Sequence, residues 1–171
     1  MLIAVMGLPG SGKSYFAHKL AGKLKAIYIG SDQVREQLDL LGEYSTEKKG
    51  EVYEQMIKEM TTAVRQGKSI VLDATFYRKS IRTQFIEAAS SVGQTIIFIE
   101  IQADEELIKE RISKKRPDSE ADYAIYVKIK ADFEPLSTAH LILHSGRDNI
   151  ELMIEEAYHY IQLSNEQETN H

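Results

Sequence analysis

Residues 7–14 read GLPGSGKS and have the residue types and spacing of a phosphate-binding loop. The pattern is glycine, four residues and then Gly-Lys-Ser, which it meets with Gly7, Gly12, Lys13 and Ser14. Glycines allow backbone conformations that aim successive N–H groups at phosphate oxygens. We therefore expect this segment, called the phosphate loop below, to bind a nucleoside triphosphate.

The side chains of the phosphate loop suit phosphoryl transfer. Lys13 would reach the β- and γ-phosphates of ATP, and the Ser14 hydroxyl would bind Mg²⁺ between them. A helix that starts near Lys13 would add its positive end. ATP and Mg²⁺ are thus the predicted cofactors. The predicted nucleotide contacts also include the neighbouring residues Pro9, Gly10, Ser11 and Tyr15.

Asp73 is the second predicted Mg²⁺ ligand, because it ends the apolar run Ser69-Ile70-Val71-Leu72. A carboxylate at the end of a central strand would hold the ion directly or through water. The alternative is a structural cap on the turn at residues 75–78. Arg78 and Arg82, four residues apart at the next predicted helix, are predicted to be surface residues.

Asp32 and Arg35 are three residues apart at the start of a predicted helix, so they share one of its faces. Asp32 could accept the proton of an attacking hydroxyl, and Arg35 could hold an anion on the acceptor. The alternative is an acidic first-turn residue that complements the helix dipole beside a solvated arginine.

Arg111 and Arg116 fall in a basic stretch that we interpret as a lid over residues 111–120. Arginines that close over a nucleotide and expel water stabilise the charge of the transferring phosphoryl group. Alternatively, these cations lie at a solvated helix C-terminus, where they interact favourably with the helix dipole. Tyr123 and Tyr126 could line the acceptor pocket, or they could be core or surface packing residues.

The composition of the chain excludes some classes of function. The 171 residues carry 21 basic and 26 acidic side chains, a net charge of −5, which argues against an extended nucleic-acid surface. The chain has no cysteine, so thiol chemistry is excluded. With no charged leader and no membrane-length apolar run, we expect one cytoplasmic domain spanning residues 1–171.

Alternating strand and helix patterns predict an α/β fold: a doubly wound, mainly parallel five-stranded sheet with helices on both faces. The predicted strands cover residues 2–6, 25–30, 69–73, 95–101 and 140–144. The predicted helices cover residues 13–24, 31–41, 51–66, 79–91, 104–116, 119–132 and 149–162. Gly42 should end the second helix, and residues 43–49 should form a mobile connection. Ile86 should face inward from the fourth helix, and the tail at 164–171 should fray. Ligands should gather at the carboxyl ends of the strands.

The sequence resembles a family of P-loop kinases that includes the kinase domain of phage polynucleotide 5′-hydroxyl kinase, predicted small kinases, chloramphenicol phosphotransferase and the zeta toxins. The likeness lies in GLPGSGKS, in SDQVREQL at 31–38, in VLDATF at 71–76 and in the stretch from 111 to 135. It implies a P-loop NTPase fold like that of nucleoside monophosphate kinases. It also implies that Asp32 acts on the acceptor hydroxyl, that Arg35 binds an acceptor phosphate and that Arg116 contacts the donor phosphates.

We therefore expect an ATP-dependent kinase that phosphorylates a hydroxyl group, with Lys13, Asp32, Arg35 and Arg116 as its catalytic residues. The acceptor could be a polynucleotide end, a nucleoside or nucleotide, a sugar or an antibiotic; small size and acidic charge favour a small molecule. A nucleotide-dependent switch or regulatory ATP-binding module with slow hydrolysis is the competing class. The guanine-reading string Asn-Lys-x-Asp is absent, which favours ATP over GTP.

Overall fold

The structure is a computed structural model that describes residues 1–114 and 123–169, with side chains described through residue 166. Strands and helices alternate through most of this part of the chain. In order, the elements are β1 (Leu2–Met6), α1 (Lys13–Leu24), β2 (Ile27–Gly30), α2 (Ser31–Gln37), α3 (Thr46–Arg65), β3 (Ile70–Asp73), α4 (Lys79–Ser91), β4 (Ile96–Gln102), α5 (Glu105–Ser113), α6 (Tyr123–Ala131), β5 (Leu141–His144) and α7 (Ile150–Thr169).

The five strands form one sheet in the order β2-β3-β1-β4-β5, and every neighbouring pair is parallel. β1 is central, with Val5 beside Asp73 of β3 and Met6 beside Glu100 of β4. The strand order reverses direction at β1, so a crevice opens at its carboxyl end. The predicted doubly wound fold is confirmed, and it puts the phosphate loop at that crevice.

Each face of the sheet has its own apolar core. One core contains Leu2, Ala4 and Met6 of β1 and packs against α2, α3 and α4. The other contains Ile3 and Val5 and packs against α1 and α7. Because alternate residues of β1 point to opposite faces, every residue of this strand is buried.

The second predicted helix was too long. α2 ends at Gln37, because Asp39 adopts a left-handed conformation with φ 56°, and the backbone N–H of Leu40 then bonds to the carbonyl of Arg35. Leu41 is 55% exposed, so it is not part of the buried helix face. Gly42 therefore does not end this helix.

Two other segments are helical where the sequence predicted none. The Ser45 side chain accepts from the backbone N–H of Lys48, so α3 begins at Thr46 and the predicted mobile connection at 43–49 is half helix. α7 continues through Thr169, which covers most of the tail that we expected to fray. None of the described helices is long and apolar enough to cross a membrane.

The inner face of α4 also differs from the prediction. Ile86 is 42% exposed, whereas Arg82 is only 3% exposed. The Arg82 guanidinium donates to the carbonyls of Phe76 (2.7 Å) and Pro135 (3.3 Å). Phe76 has a left-handed backbone, with φ 47°, in the turn between β3 and α4. Arg82 is therefore an internal support for that turn and not the surface residue we expected.

Candidate functional site

The phosphate loop connects β1 to α1, as its sequence predicts. Gly12 lies at the N-cap of α1 with φ 92°, a conformation that favours glycine, and no side chain caps the helix. The first N–H groups of a helix have no partner within it, so here they remain available for phosphate oxygens. Lys13 and Ser14 are the first two residues of α1 and are partly buried.

The loop neighbours predicted to contact nucleotide differ in exposure. Pro9 and Ser11 are buried, and Ser11 Oγ has no hydrogen-bond partner among the described residues. Gly7 could not carry a side chain, because a Cβ atom there would lie 2.5 Å from the carbonyl oxygen of Ile101. Tyr15 is exposed, and Lys19 Nζ lies 5.8 Å from the centre of its ring.

The hydroxyl of Tyr28 bonds to Asp73 and lies near Ser14. Asp73 is 4% exposed, and its Oδ2 atom accepts a 2.6 Å hydrogen bond from Tyr28. The Tyr28 pKa is raised by burial first and then by the charge and hydrogen bond of Asp73, while a hydrogen bond with Ser14 acts in the opposite direction. The phenol is therefore bonded to one of the two predicted Mg²⁺ ligands, Asp73, and lies close to the other, Ser14.

The residues present fit a magnesium ion. Asp73 Oδ1 is buried and has no hydrogen-bond partner among the described residues, which is costly for a carboxylate oxygen unless a ligand satisfies it. A carboxylate and a hydroxyl are hard oxygen ligands of the type that Mg²⁺ takes in addition to phosphates and water. The described residues contain no group of three or more His, Cys, Asp or Glu side chains that could hold a metal by themselves.

Tyr28 was missed by the sequence reasoning. It lies in β2, its ring stacks on His18 of α1 at 3.7 Å between ring centroids, and its side chain crosses over Gly30. The only available signal was the spacing: Tyr28 lies two residues before a glycine at the carboxyl end of a strand.

Asp32 and Arg35 form the predicted pair on the first turns of α2, with Arg35 Nη1 3.1 Å from Asp32 Oδ1. Arg35 is 6% exposed, its guanidinium lies 4.7 Å from the ring centre of Tyr44, and its Nε atom has no hydrogen-bond partner among the described residues. A solvated surface arginine is therefore excluded. Since β2 and β3 are adjacent, this pair lies at the same edge of the sheet as Asp73.

Arg111 contacts the phosphate loop directly. One nitrogen of its guanidinium donates to the carbonyls of Gly10 (3.3 Å) and Ser11 (3.0 Å), and the other donates to Ser145 Oγ (3.0 Å) and the carbonyl of Gly146 (2.8 Å). This arginine thus joins α5, the phosphate loop and the segment after β5. Arg116 and the rest of the predicted lid beyond Lys114 lie outside the described residues.

A second group of residues that the sequence reasoning missed surrounds Tyr77, in the turn after β3. Lys49 Nζ and Arg78 Cζ lie 5.6 Å and 5.3 Å from the centre of its ring. Burial raises the pKa of the nearby Tyr53 to about 12. Tyr123 and Tyr126, by contrast, were singled out in the sequence: Tyr126 is buried and Tyr123 is exposed, with 5.6 Å between their ring centroids.

Comparison with known proteins identifies relatives of both sequence and fold. The family model for the AAA domain matches residues 2–136. A sugar kinase from Janibacter sp. HTCC2649 is 20% identical, with 94% of this chain and 93% of that chain covered and a TM-score of 0.73. The APS kinase CysC of Mycobacterium tuberculosis, solved with AMPPNP and APS, is 17% identical over 94% and 96% of the two chains, with a TM-score of 0.72. A gluconokinase from Sinorhizobium meliloti 1021 is 15% identical over 93% and 96%, with a TM-score of 0.66. At these identities the likeness establishes the fold.

Proposed function

The chain belongs to the AAA domain family, and from this premise we propose that it is an ATP-dependent kinase that phosphorylates a hydroxyl group of a small molecule or nucleotide. The observation that carries the proposal is the placement of three groups at one edge of the sheet. The phosphate loop follows β1, Asp73 ends β3 and the Asp32–Arg35 pair follows β2, and these strands are neighbours. The kinases among the structural neighbours support the same reaction class.

On the nucleotide side, the uncapped N-terminus of α1 and the loop N–H groups bind the phosphates of ATP. Lys13 places its charge on the β- and γ-phosphates, and Ser14 with Asp73 would hold Mg²⁺. Magnesium, when bound, neutralises negative charge on those phosphates. Arg111 donates to the carbonyls of Gly10 and Ser11, and in this proposal it also contacts the bound nucleotide, as the sequence predicts.

On the acceptor side, Asp32 is the general base. Its carboxylate takes the proton of the acceptor hydroxyl, whose oxygen bonds to the γ-phosphorus while the bond to the β–γ bridging oxygen breaks and ADP leaves. Arg35 holds the Asp32 carboxylate in position through its 3.1 Å contact. Arg116 is proposed to stabilise the charge of the transferring phosphoryl group.

Labelled ATP tests the proposal directly. The protein is incubated with γ-labelled ATP, Mg²⁺ and a panel of hydroxyl acceptors that includes sugars, nucleosides, nucleotides, aminoglycosides and 5′-hydroxyl oligonucleotides. We expect label to appear in one acceptor class. We expect Asp32→Asn to reduce transfer by about two to four orders of magnitude, the usual contribution of general acid–base catalysis, and to leave ATP binding within about threefold.

Glu36→Gln is the matched control, because Glu36 is an exposed acid on the same helix. It should transfer label at the wild-type rate. If label were released only as inorganic phosphate with every acceptor, the protein would be a nucleotide hydrolase or switch and not a kinase. Unchanged transfer by Asp32→Asn would refute the assignment of the base.

A further inference from the structure

Glu100 is a buried carboxylate that the proposed reaction does not use. It lies in β4 beside Met6 of β1, the residue before the phosphate loop, and is 8% exposed. Its Oε1 atom accepts a 2.8 Å hydrogen bond from the amide of Gln102, and its Oε2 atom lies 3.4 Å from Nε2 of His140. The His140 side chain is only 12% exposed. The carboxylate and the imidazole therefore form a pair that is largely withdrawn from water.

The hydrogen bond of the His140 ring limits where its protons can be. Nδ1 of His140 lies 2.7 Å from the carbonyl oxygen of Thr138. A carbonyl can only accept, so Nδ1 carries the proton of a neutral imidazole, and Nε2 is then a lone pair. A lone pair 3.4 Å from a carboxylate oxygen repels it. The contact is favourable only when the pair holds one further proton, either on Nε2 or on Glu100.

The elements around the pair contribute other charged and titratable groups. Arg82 of α4 donates to two carbonyls, and its pKa is lowered by burial, with the charges of Glu134 and Glu100 acting in the opposite direction. His144 of β5 lies on the same face of the sheet as the pair but is exposed. Lys130 of α6 is exposed and pairs with an acid of α5 at 2.9 Å. Arginine and lysine stay charged near neutral pH, so the buried group that gains or loses a proton there is the pair itself.

His140 is the last residue of the segment between α6 and β5, residues 132–140, which we call the connecting segment. Near its other end, the backbone N–H of Glu134 donates to the carbonyl of Tyr77 at 2.8 Å. Tyr77 lies in the turn that follows Asp73, the predicted Mg²⁺ ligand. The connecting segment therefore runs from this turn to β4, and the histidine–carboxylate pair is its attachment to β4.

We propose that Glu100 and His140 form a proton-dependent latch, which fastens the connecting segment to β4 while the pair holds its extra proton and releases it when that proton is lost to water. The folded protein then holds a proton that the unfolded chain gives up. The stability supplied by the latch is complete below about pH 6.5, where a free histidine is charged, and is lost as the pH rises. The turn after β3 loses part of its support in the same pH range. The latch goes beyond the proposed kinase reaction, because it acts whatever the acceptor is.

Glu100→Gln separates the latch from its proton. A glutamine amide can donate to the Nε2 lone pair of a neutral His140 while its oxygen still accepts from Gln102, so the contact needs no extra proton. Urea unfolding is measured between about pH 5.5 and 8.5, the range in which histidine changes charge. The equilibrium constant for unfolding of the wild type should rise above about pH 6.5, by up to about tenfold per pH unit relative to Glu100→Gln.

Amide hydrogen exchange of Glu134, corrected for the intrinsic pH dependence of exchange, reports the connecting segment itself. Its protection should fall with pH in the wild type and stay constant in Glu100→Gln. A second variant, His140→Gln, removes the imidazole and should lose the same pH dependence, so the test stands even if the first variant does not fold.

His159→Gln is the matched control, because His159 is an exposed histidine, and it should keep the pH dependence of the wild type. Parallel pH profiles of unfolding for the wild type and the two latch variants, or Glu134 protection that does not change with pH in the wild type, would overturn the inference. None of these measurements uses ATP, so failure of the kinase proposal would leave them unchanged.

Discussion

Tyr28→Phe should destabilise the metal-free protein and strengthen its binding of magnesium. The substitution removes one hydroxyl and keeps the ring that stacks on His18 at 3.7 Å. That hydroxyl donates to Asp73 Oδ2 at 2.6 Å and also interacts with Ser14. We expect a magnesium ion held by Ser14 and Asp73 to displace this hydroxyl from Oδ2, so that the phenol and the ion compete for the Asp73 carboxylate.

The size of both effects follows from one hydrogen bond. A hydrogen bond to a charged group contributes about 1.5–3 kcal/mol, so the free energy of unfolding of the metal-free protein should fall by that amount. In the phenylalanine variant, magnesium no longer has to break this bond. At 1.36 kcal/mol for each factor of ten, the apparent Kd for Mg²⁺ should fall by about 10- to 150-fold.

The two quantities are measured separately. Urea unfolding in EDTA gives the free energy of unfolding, and calorimetric titration of the ADP complex with MgCl₂ gives the Kd. Tyr158→Phe is the control, because it removes the hydroxyl of an exposed tyrosine and should change neither quantity. Weaker magnesium binding by Tyr28→Phe would refute the competition and would mean that Tyr28 holds Asp73 in place for the ion.

Two further predictions concern stability. Arg82→Met should lower the free energy of unfolding by about 1.5–3 kcal/mol, because it leaves the buried carbonyl of Phe76 without its 2.7 Å donor; urea unfolding beside the exposed Arg65→Met measures this, and a loss below about 0.5 kcal/mol contradicts it. Burial raises the pKa of Tyr53 to about 12 from 10.0, so the folded protein keeps a proton that the unfolded chain loses. Stability should therefore fall as pH rises from 10 to 12, by about 2 kcal/mol more in the wild type than in Tyr53→Phe; parallel unfolding curves for the two proteins would contradict this.

The nucleotide side of the site could be predicted from sequence because it is built from short continuous segments. The phosphate loop has its strand before it and its helix after it, and Asp73 ends a run of buried residues. The group of residues around Tyr77 combines positions that are distant in sequence. Lys49 and Tyr77 are 28 positions apart (77 − 49), and they meet only because α3 packs beside the turn after β3. No local pattern reports such a contact.

The wrong boundaries have local causes that hydrophobic periodicity does not detect. The left-handed backbone of Asp39 ends α2 four residues early, and the Ser45 side chain starts α3 earlier than the apolar pattern does. Arg82 occupies an inner position of α4 because a left-handed turn leaves a carbonyl that needs a donor. The sequence analysis placed Arg82 at the surface only because its side chain is charged.

Arg111 connects the phosphate loop to the segment after β5, because both terminal nitrogens of its guanidinium donate hydrogen bonds. A lysine at this position would preserve the charge, yet its single nitrogen could not span acceptors that lie on two separate segments. The position therefore selects for the planar fork of a guanidinium and not for positive charge as such. Relatives that have lost this arginine should show a compensating change in the segment at residues 145–146 or in the carbonyl orientation of their own loop.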